Sequence, residues 1–367
     1  MEQRLTVFAK SGDPIAELDA AVNASWVQGE VGSLEFSIST RDPKFSQRNL
    51  QFGNLILFES DLLPAWGGLI WPPRFWQPGQ LTVQARSAEF QFTRRILNGG
   101  GRMPAGGRKL TGTAASLFAQ LIELGNQQAD LRIEPGTLVE AGEPLSVELR
   151  QQSLWEARKE LETNSGQEWW LEPERDADNR LLFKAHWAPV RGRQRNYALL
   201  EGKHLALVGR ASEAGDLLNR VLVLGEGETQ KPSSLAIDAR SQALYGPTFF
   251  AELIETADQA VLNARAKELL RQHAQPRLRF QARVLGGPAL KQLRLGDSYP
   301  IVLESAAFSA GAAPFRARLL AMAADLRNLR CTGSMPGKVL YFWAAMNTFQ
   351  PFSKSAQQYK KIGRAHV

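Results

Sequence analysis

The sequence predicts a mainly β chain: two β-domains, with a smaller α+β module inserted into the first of them. Three observations predict it. Much of the first hundred residues alternates apolar with polar, the period of half-buried strands. Helical spacing is confined to stretches near 113–124, 153–161 and 256–270, the last two opened by capping boxes. The third is an internal echo. Leu50–Ser60 reads LQFGNLILFES, and Leu293–Ser305, 243 residues later, reads LRLGDSYPIVLES. Leu50 pairs with Leu293, Phe52 with Leu295, Gly53 with Gly296 and Asn54 with Asp297. Gly followed by Asn or Asp suits a tight turn that needs positive φ. The β-branched and aromatic run behind it suits a strand. The echo is either one β-unit used twice or a chance likeness between two β-turns.

Length and composition bound the rest. At 367 residues the chain has room for two or three domains. With 44% apolar and 22% charged residues, the composition is globular. No apolar run reaches the roughly 18 residues of a membrane span. The N-terminus, MEQRLTVFAK, is charged at once and has no apolar core, so no secretory signal is expected. The single cysteine, Cys331, builds neither a disulfide frame nor a zinc site. The net charge of +7 is unevenly spread: residues 105–190 carry −5 and residues 231–330 carry +6. Nucleic-acid binding would need Lys and Arg clustered on a reading element. Arg277, Arg279 and Arg283 alternate along one strand and read as a solvated face.

In order along the chain, Leu5–Ala9 is a short strand and Ser11–Pro14 a turn. Ser25–Ser39 alternates, with Leu34, Phe36 and Ile38 forming one apolar face. Leu55–Phe58 follows the first Gly-Asn turn. Leu69–Arg86 reads as a hairpin with a long tip, PPRFWQPG, over Pro72–Gly79. Prolines in the tip are expected to keep it from pairing. Its aromatics, Phe75 and Trp76, either contact a partner or fold back on their own domain. Asn98–Lys109, NGGGRMPAGGRK, superficially suggests a phosphate loop, but Gly107 stands where a P-loop needs Lys. It reads as a connector.

Thr113–Leu124 is a helix with Leu117, Leu121 and Leu124 on one face. Val147 and Leu149 suggest a strand. Ser153-Leu-Trp-Glu156 is a capping box opening a helix that stops near Asn164–Gly166. QEWWLE and LLFKAHW then form a hairpin around Asp176–Asn179. Arg191, Arg193 and Arg195 read as a solvated basic patch. Leu217–Leu224 is a strand expected to rejoin the first β-domain. Thr256-Ala-Asp-Gln259 reads as a second capping box, and its helix stops before Pro276. Strands follow at Leu278–Leu285, Ser298–Glu304 and Phe315–Leu326.

The domains are therefore 1–100 with 191–230, a discontinuous first β-domain; 101–190, the inserted α+β module; 231–330, a second β-domain with one helix; and 331–367, a tail without a clear period. Lys361–Val367 resembles the translation of a sequencing adapter, so the last six or seven residues are expected to be foreign and the natural chain to continue beyond them.

The search for chemistry finds little. None of His186, His204, His273 and His366 has a partner at zinc-site spacing, and no Ser sits in a nucleophile elbow. Glu168-Trp-Trp170 reads better as a packed strand than as a sugar site. No catalytic, cofactor-binding or metal-binding residue is assigned, and the chain reads as a binding or structural protein and not an enzyme.

Four features, taken in order, resemble the hub proteins of phage tails, in siphophage tips and in the baseplates of contractile tails and injection devices. They are FGNLILF with the WGGLI hairpin; the module with SLWEARKEL and then QEWWLE; the strand LLNRVLVLG; and TADQAVLNARAKELL followed by RLGDSYPI. The resemblance covers about residues 1–330. It implies two tail-tube-like β-barrels per chain and a homotrimer whose six barrels adapt a sixfold tube to a threefold tip. The partners implied are adjacent tail-tube or distal tail rings and the tape-measure protein, with DNA passing through the lumen without sequence reading. The place implied is the virion tail tip, after synthesis in the host cytoplasm. Phe75 and Trp76 are the candidate inter-subunit contact. Two other readings remain: the N-terminal part of a tail-associated peptidoglycan hydrolase, or a soluble glycan-binding β-protein.

Overall fold

A computed structural model of the chain describes residues 3–97, 108–149, 152–213, 215–226, 231–254, 257–275, 277–285, 287–303, 315–325 and 338–345. The first seven strands are β1 (Gln3–Phe8), β2 (Pro14–Leu18), β3 (Ala21–Val27), β4 (Ser33–Ser39), β5 (Leu55–Ser60), β6 (Trp66–Gln77) and β7 (Gln80–Ser87). A mixed segment follows: α1 (Phe90–Thr93), β8 (Arg108–Gly112), α2 (Ala114–Gln128), β9 (Ile133–Leu138), β10 (Leu145–Leu149), α3 (Leu154–Ser165), β11 (Glu168–Arg175) and β12 (Leu181–Ala188). Next come β13 (Leu199–Leu200), β14 (Leu205–Glu213), β15 (Arg220–Leu224), β16 (Ser233–Ile237), α4 (Ala239–Tyr245), β17 (Phe249–Leu253) and α5 (Gln259–His273). The last elements are β18 (Arg277–Val284), α6 (Gly287–Gln292), β19 (Ser298–Val302), β20 (Phe315–Asp325) and β21 (Lys338–Ala345). No helix among the described residues is long and apolar enough to cross a membrane.

The described residues gather into two units. One draws on residues 1–206, 283–299 and 319–340, the other on 207–282, 300–318 and 341–367. In the first unit, the strand order β20-β3-β4-β7-β6-β5-β1-β2 makes a large antiparallel sheet. No ladder among the described residues closes it into a barrel. Period-2 alternation is what builds it: Leu34, Phe36 and Ile38 of β4 lie opposite Ala85, Val83 and Leu81 of β7, all buried. The second half of Ser25–Ser39 is β4, as its alternation predicts. The Gln28–Gly32 turn separates it from β3, with Gly29 at φ +69° supplying the reversal.

The α+β elements of this unit behave largely as read. Thr113 caps α2, accepting a hydrogen bond from Ser116 N–H. Ser153 and Glu156 make the expected reciprocal capping box, and Gly166 ends α3 at φ +65°. β11 and β12 pair antiparallel, and β9 adds in parallel beside β12. Phe118 of α2 packs between Trp169 and Trp187, with ring centroids 5.9 and 4.8 Å away. The same apolar cluster runs on to Phe8, Leu55, Leu57 and Leu69 of the large sheet.

In the second unit, β15 pairs antiparallel with β16 and parallel with β17. Of the strand expected over Leu217–Leu224, Arg220–Leu224 is β15, and these two strands are its partners among the described residues. The strand's apolar content is satisfied locally, because α5 lays Leu262, Ala266 and Leu269 on Val221 and Val223. The start of α5 is corrected. Asp258, accepting from Ala260 N–H, is the N-cap, and the helix begins at Gln259. β21 lies in the stretch the sequence left without a period. Cys331 and 361–367, with His366, lie outside the described residues, as does most of the glycine-rich connector.

Candidate functional site

The hairpin of β6 and β7 carries the one pair of residues singled out for contact. The loop expected over Pro72–Gly79 is strand as far as Gln77. Pairing slips between Ile70 and Arg74 and then resumes, with Arg74 opposite Val83, Phe75 opposite Thr82 and Trp76 opposite Leu81. The cis Pro72–Pro73 pair sits in that slip, where a missing N–H forfeits no ladder bond. The turn itself is only Pro78–Gly79, with Gly79 at φ +80°. Alternation then sends the aromatics to opposite faces. Trp76 shares a face with Arg74: its ring lies 6.0 Å from Phe45, edge to face, while the Arg74 guanidinium lies 3.8 Å over Phe52. Phe75 points to the other face, beside Thr82. Trp76 is 64% exposed and Phe75 50% despite these contacts. The fold-back and the free surface therefore coexist: the tip is braced by its own neighbours and still presents two aromatic faces.

The second constellation is the repeated turn. Gly53 and Gly296 take φ +85° and +84°. Asn54 N–H donates to Gln51 O at 3.2 Å, and Asp297 N–H to Arg294 O at 3.2 Å. Gly53 N–H donates to Ile70 O at 2.9 Å, and Ile70 N–H returns a bond to Asn54 O at 2.8 Å. In the later copy, Gly296 N–H donates to Leu319 O at 2.7 Å, and Leu319 N–H returns a bond to Asp297 O at 3.0 Å. The backbone frame is thus reproduced bond for bond, and Leu50 and Leu293 are both buried behind it.

The side chains close the two frames with opposite chemistry. The Asn54 amide donates to Arg48 O at 2.7 Å and Asn49 O at 3.3 Å. The Asp297 carboxylate accepts, from Arg193 N–H at 2.8 Å and from the Arg195 guanidinium. This corrects the reading of a solvated patch for Arg191 and Arg195, while the Arg193 side chain is exposed as expected. Arg195 pairs with a carboxylate whose side chain is only 3% exposed. Arg191 donates its N–H to Glu168 at 2.8 Å and holds its guanidinium 5.3 Å from the Trp170 ring. Tyr299 lies buried beside the turn, its hydroxyl donating to Gln292 O and accepting from Arg294 N–H, each at 2.8 Å. Burial pushes its phenol up to about 12.

A cavity of about 580 Å³ opens in the same unit, lined in part by Trp66, Glu89, Trp170, Arg191, Arg195 and Asp297. Burial pushes the Glu89 carboxyl above its usual range, opposed by a hydrogen bond from Ser87. Sequence gave no signal for this cavity, whose walls come from segments far apart in the chain. The three described histidines each meet a backbone partner. His186 accepts Thr137 N–H on Nδ1 at 3.0 Å and stacks on Trp170 at 5.1 Å. His204 accepts Leu200 N–H at 3.1 Å, and His273 meets Asp216 O at 3.1 Å. Among the described residues no group of three or more His, Cys, Asp or Glu is placed to hold a metal ion.

No family model matches the chain, and no curated protein matches it. Solved structures do. The prophage tail protein gp18 of Listeria monocytogenes EGD-e superimposes with a TM-score of 0.57 at 12% identity, covering 98% of this chain and 99% of that one. The 43 kDa tail protein of prophage MuSo2 from Shewanella oneidensis gives 0.59 at 9% identity, over 94% and 98%. The fold is that of phage tail proteins. A tail protein from Neisseria meningitidis MC58 agrees, with a TM-score of 0.57 at 10% identity over 96% and 99%. The likeness spans whole chains, so it includes the α+β segments as well as the large sheet.

Proposed function

We propose that this protein is a structural hub of a phage tail tip or baseplate. Three copies form a ring, and each copy contributes two tube-type β-domains, closed as barrels in the assembly, so that a threefold ring meets a sixfold tube. The ring lines the channel through which DNA and the tape-measure protein pass. It stacks on adjacent tail-tube or distal tail rings, in the virion, and catalyses no reaction.

The observation that carries this reading is the repeated turn. A chain that presents two ring positions needs the same β-unit twice, and the frames at Gly53–Asn54 and Gly296–Asp297, both within the first unit, share three backbone hydrogen bonds. The whole-chain likeness to tail proteins supports it. Within the ring, Phe75 and Trp76 on the β6–β7 tip contact a neighbouring chain or ring. The test is mass in solution with electron microscopy, for the chain alone and mixed with the adjacent tail-ring protein. A trimeric ring with a central hole is expected. A monomer in both conditions refutes the reading, and hydrolysis of purified peptidoglycan by the chain refutes its non-enzymatic part.

A further inference from the structure

The three-stranded sheet β16-β15-β17 has two unlike faces. Val221 and Val223 of β15 point to one face, where α5 covers them. Registration places Leu235 opposite Leu222, Ile237 and Phe249 opposite Arg220, and Leu253 opposite Leu224, all on the other face. That face is apolar and open: Leu235 is 50% exposed, Ile237 48%, Phe249 59% and Leu253 60%. Its one charge among these positions, Arg220, holds its guanidinium 5.8 Å from the Phe249 ring. Both β16 and β17 are edge strands of this sheet.

We infer that a second copy of this chain covers this face. The inference rests on the ring reading above and names one of the ring's contact surfaces. The exposed apolar area is on the order of 500 Å² per chain, at the upper end of what a monomeric protein leaves in water. Set against a comparable apolar surface of another copy, it removes on the order of 1,000 Å², the threshold of a specific protein interface. The chemistry argues for protein and against nucleic acid, since a single arginine already engaged with an aromatic ring cannot track a phosphate backbone. In a ring of identical chains the neighbour is a copy, present at the same concentration and held at fixed orientation.

The test uses the full chain. Hydrogen exchange of 233–237 and 249–253 is compared between assembled and dilute protein. The double variant Leu235→Glu/Leu253→Glu is compared with Val190→Glu, an equally exposed apolar position in the other unit. Slowed exchange of both segments on assembly is expected, along with at least tenfold weaker association of the double variant at unchanged circular dichroism. Should the double variant lose its fold, the exchange measurement on the natural sequence still decides. A trimer whose 233–237 and 249–253 exchange as fast as in the dilute protein overturns the inference and leaves the ring reading standing. Where the chain alone stays monomeric, the same exchange is measured in the ring formed with the adjacent tail-ring protein, and unslowed exchange of both segments there, or the absence of any ring, overturns the inference.

Discussion

Gly296→Ala is expected to damage the protein far more than two other left-handed glycines, and the structure fixes the order. Gly166, at φ +65°, has nothing within 4 Å of where a Cβ would stand, so Gly166→Ala measures the left-handed penalty alone, about 1 kcal/mol. At Gly53, φ +85°, the added Cβ would lie 2.8 Å from Lys10 Cε, the movable end of a long side chain. That adds a few tenths, for about 1–2 kcal/mol in all. At Gly296, φ +84°, the same atom would lie 2.7 Å from Arg191 O, which is backbone and cannot swing away. Relief would have to lift Arg191–Arg195 off the turn and break the bonds to Asp297, for about 3–4 kcal/mol. Thermal unfolding of this unit, followed by near-ultraviolet circular dichroism, should drop roughly 2–4 °C for Gly166→Ala and about 8 °C or more for Gly296→Ala. If the two variants unfold at the same temperature, the 191–195 segment is not held against the turn and the account of the second frame fails.

Three further outcomes follow from the same geometry. Asp297→Asn should cost about 3 kcal/mol in urea unfolding, since it removes the charge that pairs with Arg195 and leaves an amide NH2 facing one of the two donors, Arg193 N–H or the Arg195 guanidinium; a loss below about 1 kcal/mol would refute the pairing. Burial holds the His186 and His204 rings below their usual 6.5. The unfolded rings therefore take up protons that the folded rings refuse, and stability is full above about pH 6.5 and falls as pH drops below it. His186→Gln should flatten the stability difference between pH 7.5 and 5.5, and an unchanged slope refutes the assignment. Phe75→Ser with Trp76→Ser should weaken assembly at least tenfold while shifting the unfolding free energy by no more than about 1 kcal/mol, because both rings are half exposed or more; unchanged assembly removes them from the interface.

What sequence made legible was local chemistry. The capping box at Ser153, the helix stop at Gly166 and the alternation of β4 are each decided within a few residues, and each stands where the pattern places it. What it hid was decided at a distance. Pro72 and Pro73 are strand breakers on any local rule, yet pairing resumes beyond them because β7 supplies a partner and the slip absorbs both rings. β9, with Pro135 and Gly136 inside it, has no strand signal; its place is made by β12, to which it adds in parallel. β15 reads as a strand correctly, but no local feature says that β16 and β17 are its partners. The candidate tip was legible as exposed aromatics, whereas its bracing by Phe45 and Phe52 needed the fold.

The two turns share a backbone geometry and differ in the side chains that close it. The backbone bonds of Gly53–Asn54 and Gly296–Asp297 depend only on φ and on a facing strand, so both copies preserve them. The side chains answer to neighbours that differ. Asn54 faces two carbonyl oxygens, which require a donor; Asp297 faces an amide N–H and a guanidinium, which require an acceptor. Exchanging the two residues would put a carboxylate against carbonyls at one site and an amide donor against donors at the other. Asn54→Asp is therefore expected to be as destabilising as Asp297→Asn, although each installs the residue that serves the other copy. Equal backbone frames thus carry side chains that cannot be exchanged, because each answers to its own neighbours.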